Sequence, residues 1–112
     1  MSNNASHNID RDRLVDLYRT MRRIRAFEEK TMALFEQGAV KGTAHSYIGQ
    51  EAVAAAVSAN LRDDDYMASN HRGHGHCIAK GAEQSLMMAE LMGRENGYCG
   101  GLGGSMHIAD LS

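Results

Sequence analysis

The sequence has no proline and no tryptophan, and it has only two cysteines among its 112 residues. The first two absences exclude no class of function. The cysteines, Cys77 and Cys99, are far apart and do not form a Cys-x-x-Cys motif. This usage favours reduced thiols in a cytoplasmic protein over a disulfide framework.

Long apolar runs and an excess of basic residues are also absent. No stretch approaches the roughly 20 apolar residues that span a bilayer, and residues 1–8 are too polar for a signal peptide. The formal net charge of -2 argues against a general nucleic-acid binder, which needs a basic face. Apolar residues at 43% and charged residues at 23% are ordinary values for one globular domain. We therefore expect no membrane and no nucleic acid as partners.

The strongest secondary-structure signal is a long amphipathic helix near the N-terminus. Apolar residues recur every three or four positions over Arg11–Gln37, while charged residues, Glu28 among them, form what we interpret as a solvated face. Asp10 is a suitable N-cap and Gly38 a suitable stop. Residues 1–9 are expected to be a disordered tail, and residues 10–112 to be part of one domain.

Shorter elements are predicted further along the chain. Helices are expected over Glu51 to about Leu61 and over Ser85–Met92, with a helical segment at Cys77–Lys80. Tyr66–Ser69 is interpreted as a short strand that delivers the next loop at its C-terminal end, where ligands bind in open α/β sheets. The prediction is an α/β fold, mostly helical, with one or two short strands and long Gly-rich loops.

The segment Ser69–Cys77 concentrates chemically active side chains between glycines. Arg72 offers a planar donor fork that matches phosphate or carboxylate oxygens. One interpretation is a metal site, because imidazole and thiolate are the usual ligands of zinc. A small helical module that binds a metal or a protein partner therefore stays an alternative, with the ligands His71, His74, His76 and Cys77.

Two further stretches look like ligand-binding loops, and the first of them is a candidate second wall of the site. The loop Lys41–Ile48 is rich in side-chain donors, and Gly97–His107 is dense in glycine. The glycine stretch lacks the Lys-Ser/Thr ending of a Walker loop, so by itself it is weak support for nucleotide binding.

Taken together, these motifs strongly resemble the alpha subunit of thiamine-diphosphate-dependent 2-oxo acid dehydrogenases. This family includes the decarboxylating components of pyruvate, branched-chain 2-oxo acid and acetoin dehydrogenase complexes. The order and spacing match across residues 14–111, and His71 at a position where relatives usually have Tyr looks most like the acetoin type. The motifs are Gly-x-x-His-Ser-Tyr-x-Gly-Gln-Glu-Ala at Gly42–Ala52, Asn-His-Arg-Gly-His-Gly at Asn70–Gly75, Gly81, and Gly-Gly-Ser-Met-His at Gly103–His107.

The resemblance implies roles for individual residues. Arg72 matches the arginine that contacts the cofactor diphosphate, and His71 takes the aromatic position beside cofactor and substrate. His45 matches the histidine of the substrate pocket. His74 is expected to orient the loop or take part in proton transfer. Ser105 is expected to donate to a phosphate oxygen or to cap a neighbouring element.

The resemblance also implies cofactors and partners. Thiamine diphosphate is expected with magnesium, whose family ligands, in a Gly-Asp-Gly…Asn segment, have no counterpart here, so no metal ligand is assigned in this chain. The implied activity is cleavage of acetoin or decarboxylation of a 2-oxo acid such as pyruvate, with transfer of the acyl unit to a lipoyl carrier. The implied assembly is a cytoplasmic heterotetramer with a beta subunit, served by a lipoyl acyltransferase. The chain resembles only the N-terminal portion of an alpha subunit, and alone it is expected to be inactive.

Overall fold

The computed structural model describes residues 8–112, which form four helices joined by long loops. Residues 1–7 of the predicted tail lie outside the described residues, and Asn8 and Ile9 have no regular structure. The helices are α1 (Arg11–Glu36), α2 (Glu51–Ser58), α3 (His74–Ala79) and α4 (Gln84–Leu91).

The long helix α1 begins and ends close to the predicted residues. The carbonyl of Asp10 accepts from the Leu14 N–H at 3.0 Å, although the Asp10 side chain makes no capping hydrogen bond. At the other end Gly38 adopts φ 78°, a left-handed conformation that glycine reaches without steric cost. With 26 residues the helix is about 39 Å long. It is the longest helix in the described part of the chain.

The core lies where α1, α2 and α3 pack against one another and meet α4. Helix α1 contributes Ile24 and Phe27, and α4 contributes Met87. Glu28 was predicted on the solvated face, and that prediction is wrong, because its side chain is fully buried. It lies four positions after Ile24 and therefore on the same helical stripe. The buried apolar cluster is Ile24, Phe27, Val40, Tyr47, Ala54, Ile78, Met87 and Leu91.

An ion pair joins α1 to the start of α2. Arg25 Nε donates to Glu51 Oε1 at 2.5 Å, and Glu51 Oε2 accepts from the Gly49 N–H at 2.9 Å. Burial alone raises the pKa of Glu51, but the bonds from Arg25 and from backbone N–H groups outweigh it, and the net pKa is lowered. The charged form of Glu51 thus fixes the turn at Ile48 and Gly49, which leads into α2.

The predicted strand at Tyr66–Ser69 does not form in the described part of the chain. A strand requires a neighbour for its ladder of hydrogen bonds, and residues 66–69 have no such neighbour within residues 8–112. Two helix boundaries also differ. Helix α2 ends at Ser58 rather than near Leu61, and α3 begins at His74 rather than at Cys77. None of the described helices combines the length and apolar composition needed to cross a bilayer.

Candidate functional site

Tyr47 brings the two histidine-containing stretches together. Its ring is buried, and a Cβ built on Gly75 would lie 2.3 Å from its Cδ1, so only glycine allows this contact. The ring also meets His76 edge-on at a centroid distance of 5.1 Å. The 42–52 stretch and the 70–76 loop therefore form one surface, as their interpretation as walls of one site requires.

Arg72 is presented at this junction. Its Nη1 donates to the Ser46 carbonyl at 2.5 Å, and its backbone N–H donates to the Asn70 side chain at 2.9 Å, which tightens the turn before it. The residue is half-buried, and no carboxylate within residues 8–112 forms an ion pair with it. A guanidinium has five donors, and only Nη1 bonds to protein here. The remaining donors and the whole positive charge suit an anionic ligand.

Two predicted site histidines are in contact, and one of them, His71, directly precedes Arg72 in the sequence. The rings of His45 and His71 stand edge to face, with centroids 4.7 Å apart. The Nδ1 atom of His45 is buried and has no hydrogen-bond partner in the described structure. A buried polar atom without a partner is uncommon in proteins and calls for an explanation, such as a ligand.

His74 and Ser105 are also brought together, but inside the protein. His74 Nδ1 lies 2.6 Å from Glu28 Oε1, and the Ser105 hydroxyl lies 2.9 Å from His74 Nε2. All three residues are at most 3% exposed. Both ring nitrogens of His74 form hydrogen bonds, and one of these is to the Ser105 hydroxyl. The orienting role expected of His74 and the direct role of Ser105 at a phosphate both stay predictions.

The Gly-rich stretch is organised by a buried carboxylate. Glu90 accepts four backbone N–H groups: Oε1 accepts from Cys99 at 2.6 Å and Gly101 at 2.9 Å, and Oε2 accepts from Gly103 at 2.8 Å and Gly104 at 2.9 Å. Burial alone raises the pKa of Glu90, but these four donors outweigh it, and the net pKa is lowered. These four N–H groups, which a phosphate could have used, are therefore occupied by the protein itself.

The metal interpretation requires four ligands that the structure keeps in different environments. His74 is bonded to Glu28 and Ser105, while His76 contacts the Ser69 hydroxyl through Nδ1 and the Tyr47 hydroxyl at 3.4 Å through Nε2. Cys77 is a free thiol whose pKa burial raises to about 11. Within residues 8–112 no group of three His, Cys, Asp or Glu side chains is arranged to hold an ion. No observation in the described structure favours this alternative.

A cavity with a volume of about 610 Å³ borders the same loop. The segment 63–70, helix α3 and the segment 105–112 form its walls, and the lining includes Ser69, His76 and Ser105. Arg72, His71 and His45 do not line it. The cavity and the surface around Arg72 are therefore distinct features that share the 69–76 loop.

Glu28 and Glu90 are buried carboxylates that organise the site, and neither was predicted from the sequence to do so. A signal was present for both, since Glu28 follows Ile24 by four positions and Glu90 follows Met87 by three. A charged residue on an apolar stripe indicates burial with a specific partner. The partners themselves come from distant segments, so the pattern alone does not identify them.

Comparison with known proteins gives consistent matches over most of the chain. Residues 19–112 match the family model described as dehydrogenase E1 component. The alpha subunit of acetoin:2,6-dichlorophenolindophenol oxidoreductase from Bacillus subtilis is 56% identical over 95 residues, which are 85% of this chain and 28% of that protein. The subunit of the same name from Cupriavidus necator is 50% identical over 104 residues, 93% of this chain and 31% of the relative.

A pyruvate dehydrogenase is similar as well. The alpha subunit of the E1 component from Zymomonas mobilis is 44% identical over 103 residues, 91% of this chain and 29% of that protein. The chain thus spans less than a third of the length of these relatives. With the family model matched from residue 19 to residue 112, the chain belongs to the dehydrogenase E1 component family.

Proposed function

We propose that this chain supplies part of a thiamine-diphosphate site in the alpha subunit of a dehydrogenase that acts on acetoin. The observation that carries the proposal is the half-buried guanidinium of Arg72, held by the Ser46 carbonyl and without an ion-pair partner in the described structure. Pyruvate and branched-chain 2-oxo acids are the alternative substrates. Two of the relatives compared above are named for acetoin, and the resemblance of His71 to the acetoin type points the same way.

The residues present fit the diphosphate end of the cofactor. Arg72 retains donors and a full positive charge toward a ligand, and a bidentate contact to phosphate oxygens matches its planar geometry. The Ser46 carbonyl orients the guanidinium, because it accepts one N–H and thereby fixes the plane of the group. When bound, thiamine diphosphate supplies the carbanion chemistry that cleaves a bond next to a carbonyl.

The histidine pair is proposed to contact the reacting part of the ligand. The free Nδ1 of His45 can donate or accept one hydrogen bond, and the ring of His71 restricts its orientation by edge-to-face contact. His45 would hold a substrate oxygen or move a proton at Nδ1, and His71 would border the cofactor. Magnesium would accompany the diphosphate through ligands outside this segment. The acyl unit would pass to a lipoyl group on an acyltransferase, in an assembly completed by a beta subunit.

An activity transplant tests this function. The matching segment of the Bacillus subtilis alpha subunit is replaced by this chain, and the hybrid is purified with that enzyme's other subunits. Acetoin-dependent reduction of 2,6-dichlorophenolindophenol that requires added thiamine diphosphate is the expected result. A hybrid that assembles, yet is inactive with acetoin, pyruvate and branched-chain 2-oxo acids alike, would refute the proposal.

A further inference from the structure

We propose that Glu28 and His74, through Ser105, act as positioning residues that hold the Arg72 loop and the Gly-rich loop in fixed relation. The inference rests on the proposed function, because it concerns how the diphosphate site is kept in place. The three side chains come from α1, the start of α3 and the loop 97–107. They form an unbroken chain of contacts, 2.6 Å from Glu28 to His74 and 2.9 Å from His74 to Ser105.

The chemistry of the three side chains indicates which atom donates and which accepts in each hydrogen bond. An ionised Glu28 can only accept, so the hydrogen on the facing side belongs to His74 Nδ1. In the neutral ring Nε2 is then an acceptor, and the Ser105 hydroxyl donates to it. With Glu28 ionised and the His74 ring neutral, Glu28 selects the tautomer of His74, and the tautomer determines that the Ser105 hydroxyl is the donor. The edge of the His74 ring against Phe27, with centroids 5.9 Å apart, holds the ring in place.

Packing alone does not explain a carboxylate at this position. Glu28 Oε2 and Thr31 Oγ1 are both buried and have no hydrogen-bond partner among the described residues. Burying a polar atom without a partner costs about 1–3 kcal/mol, so an apolar side chain would serve the core better. A buried carboxylate with one unpaired oxygen is therefore more consistent with a requirement for its bond to His74.

His74 connects both loops of the site. It follows Arg72 by two residues, and the intervening Gly73 is buried, so fixing the imidazole also fixes the turn that presents the guanidinium. Ser105 lies near the end of the Gly-rich loop, and Glu90 holds four N–H groups of that loop. Loss of the Ser105 contact would free the end of that loop while leaving the Glu90 bonds intact.

The order carboxylate, histidine, serine also occurs in hydrolases, where the serine is the nucleophile. Ser105 is 3% exposed, and a nucleophile must reach its substrate. The burial favours the positioning role, and reaction of Ser105 with a serine-directed fluorophosphonate would contradict it.

The test uses Ser105→Ala and Glu28→Gln, with Ser85→Ala as the matched control at an exposed serine. Amide hydrogen exchange is measured on this chain without cofactor. Thiamine diphosphate affinity and kcat are measured in the hybrid enzyme described above. We expect exchange at Arg72, whose N–H is held by the Asn70 side chain, to accelerate about tenfold in Ser105→Ala, as for loss of one ordinary hydrogen bond. The cofactor Kd should rise by a similar factor, while kcat at saturating cofactor changes less than about twofold.

The conservative variant Ser105→Thr should restore the cofactor Kd, because it restores the hydroxyl. A folded Ser105→Ala variant with unchanged exchange at Arg72 and unchanged Kd would overturn the inference. If Ser105→Ala lowers kcat and cofactor affinity equally and also lowers thermal stability, the network has only a structural role, and the inference is contradicted. If the unsubstituted hybrid does not bind thiamine diphosphate, the proposed function fails, whereas the exchange data still show whether the network holds the loop.

Discussion

At the scale of single residues, the site depends on contacts that tolerate little change. Gly75 is the clearest case, since a methyl group there would overlap the Tyr47 ring at Cδ1, Cε1 and Cγ, at distances of 2.3 to 2.8 Å. Gly73, two residues earlier, has its nearest neighbours at 3.5 Å, an ordinary contact distance. The two glycines allow one chemical change to be compared in two environments.

We predict that Gly75→Ala destabilises the chain by about 1–3 kcal/mol, the usual cost of overpacking. Without the clash the same change would stabilise a helix interior by about 1 kcal/mol, so the sign of the effect reports the contact with Tyr47. Urea denaturation gives the free energy of unfolding. Gly73→Ala is the control and should change it by less than about 1 kcal/mol. A neutral or stabilising Gly75→Ala would show that Tyr47 does not pack there.

At the scale of elements, helix α4 and the Gly-rich loop form one unit through Glu90. An added Cβ at Gly97 would lie 2.5 Å from the Glu90 backbone, and one at Gly101 would lie 2.6 Å from the Gly93 carbonyl carbon. The loop is therefore a rigid attachment to α4 rather than an open cradle for a ligand.

We predict that Glu90→Gln lowers the free energy of unfolding at pH 7 by about 3 kcal/mol or more, since hydrogen bonds to a charged group contribute about 1.5–3 kcal/mol each. The amide retains one acceptor oxygen and points hydrogens at two N–H donors. Glu95→Gln, the same change at an exposed position on the segment after α4, should have little effect. Chemical denaturation measures both variants, and equal stability for the two would contradict this account of the loop.

The pH dependence provides a separate test of Glu90. Its pKa in the folded state lies below the ordinary value of 4.5, so its contribution to stability is complete above that value. The contribution is lost as the pH falls through the lowered folded-state pKa. Glu51, Asp65 and Asp110 have lowered pKa values as well and titrate in the same window. The difference in stability between the native chain and Glu90→Gln should therefore shrink as the pH falls below about 4.5, and a constant difference would argue against it.

The sequence predicted those elements whose signals are local. The periodicity of α1 and its stop at Gly38 depend on neighbouring residues, and both are confirmed. The prediction of a strand at Tyr66–Ser69 was wrong, because a strand must pair with a neighbour that is distant in sequence. The partners of His74 are likewise remote, 46 positions away for Glu28 and 31 for Ser105, so its buried network could not be inferred from spacing.

At the scale of the whole molecule, the described chain leaves apolar surface uncovered on two helices. On α1, Leu14 and Tyr18 are 49% and 62% exposed, and on α2, Val53 and Val57 are 60% and 50% exposed. Each pair lies four positions apart and therefore on one face of its helix. Exposed apolar side chains on one helix face promote association.

We predict that the isolated chain associates reversibly as its concentration rises, and that the double variant Val53→Ser, Val57→Ser weakens this association about tenfold or more, because it removes apolar area from the contact. Sedimentation velocity over a concentration series measures the effect. The control is Ala52→Ser, Ala56→Ser, which places hydroxyls at exposed positions of the same helix. A chain that stays monomeric at all concentrations would contradict the prediction.

The central claim is that Arg72 binds the diphosphate of the cofactor, and calorimetric titration of the hybrid enzyme with thiamine diphosphate and magnesium tests it most directly. Arg72→Ala should weaken binding about a hundredfold or more, because it removes a charged, bidentate contact. Arg94→Ala, at an exposed position, is the matched control and should bind as the unsubstituted hybrid does. Equal affinity for Arg72→Ala and Arg94→Ala in folded, assembled enzyme would contradict the account.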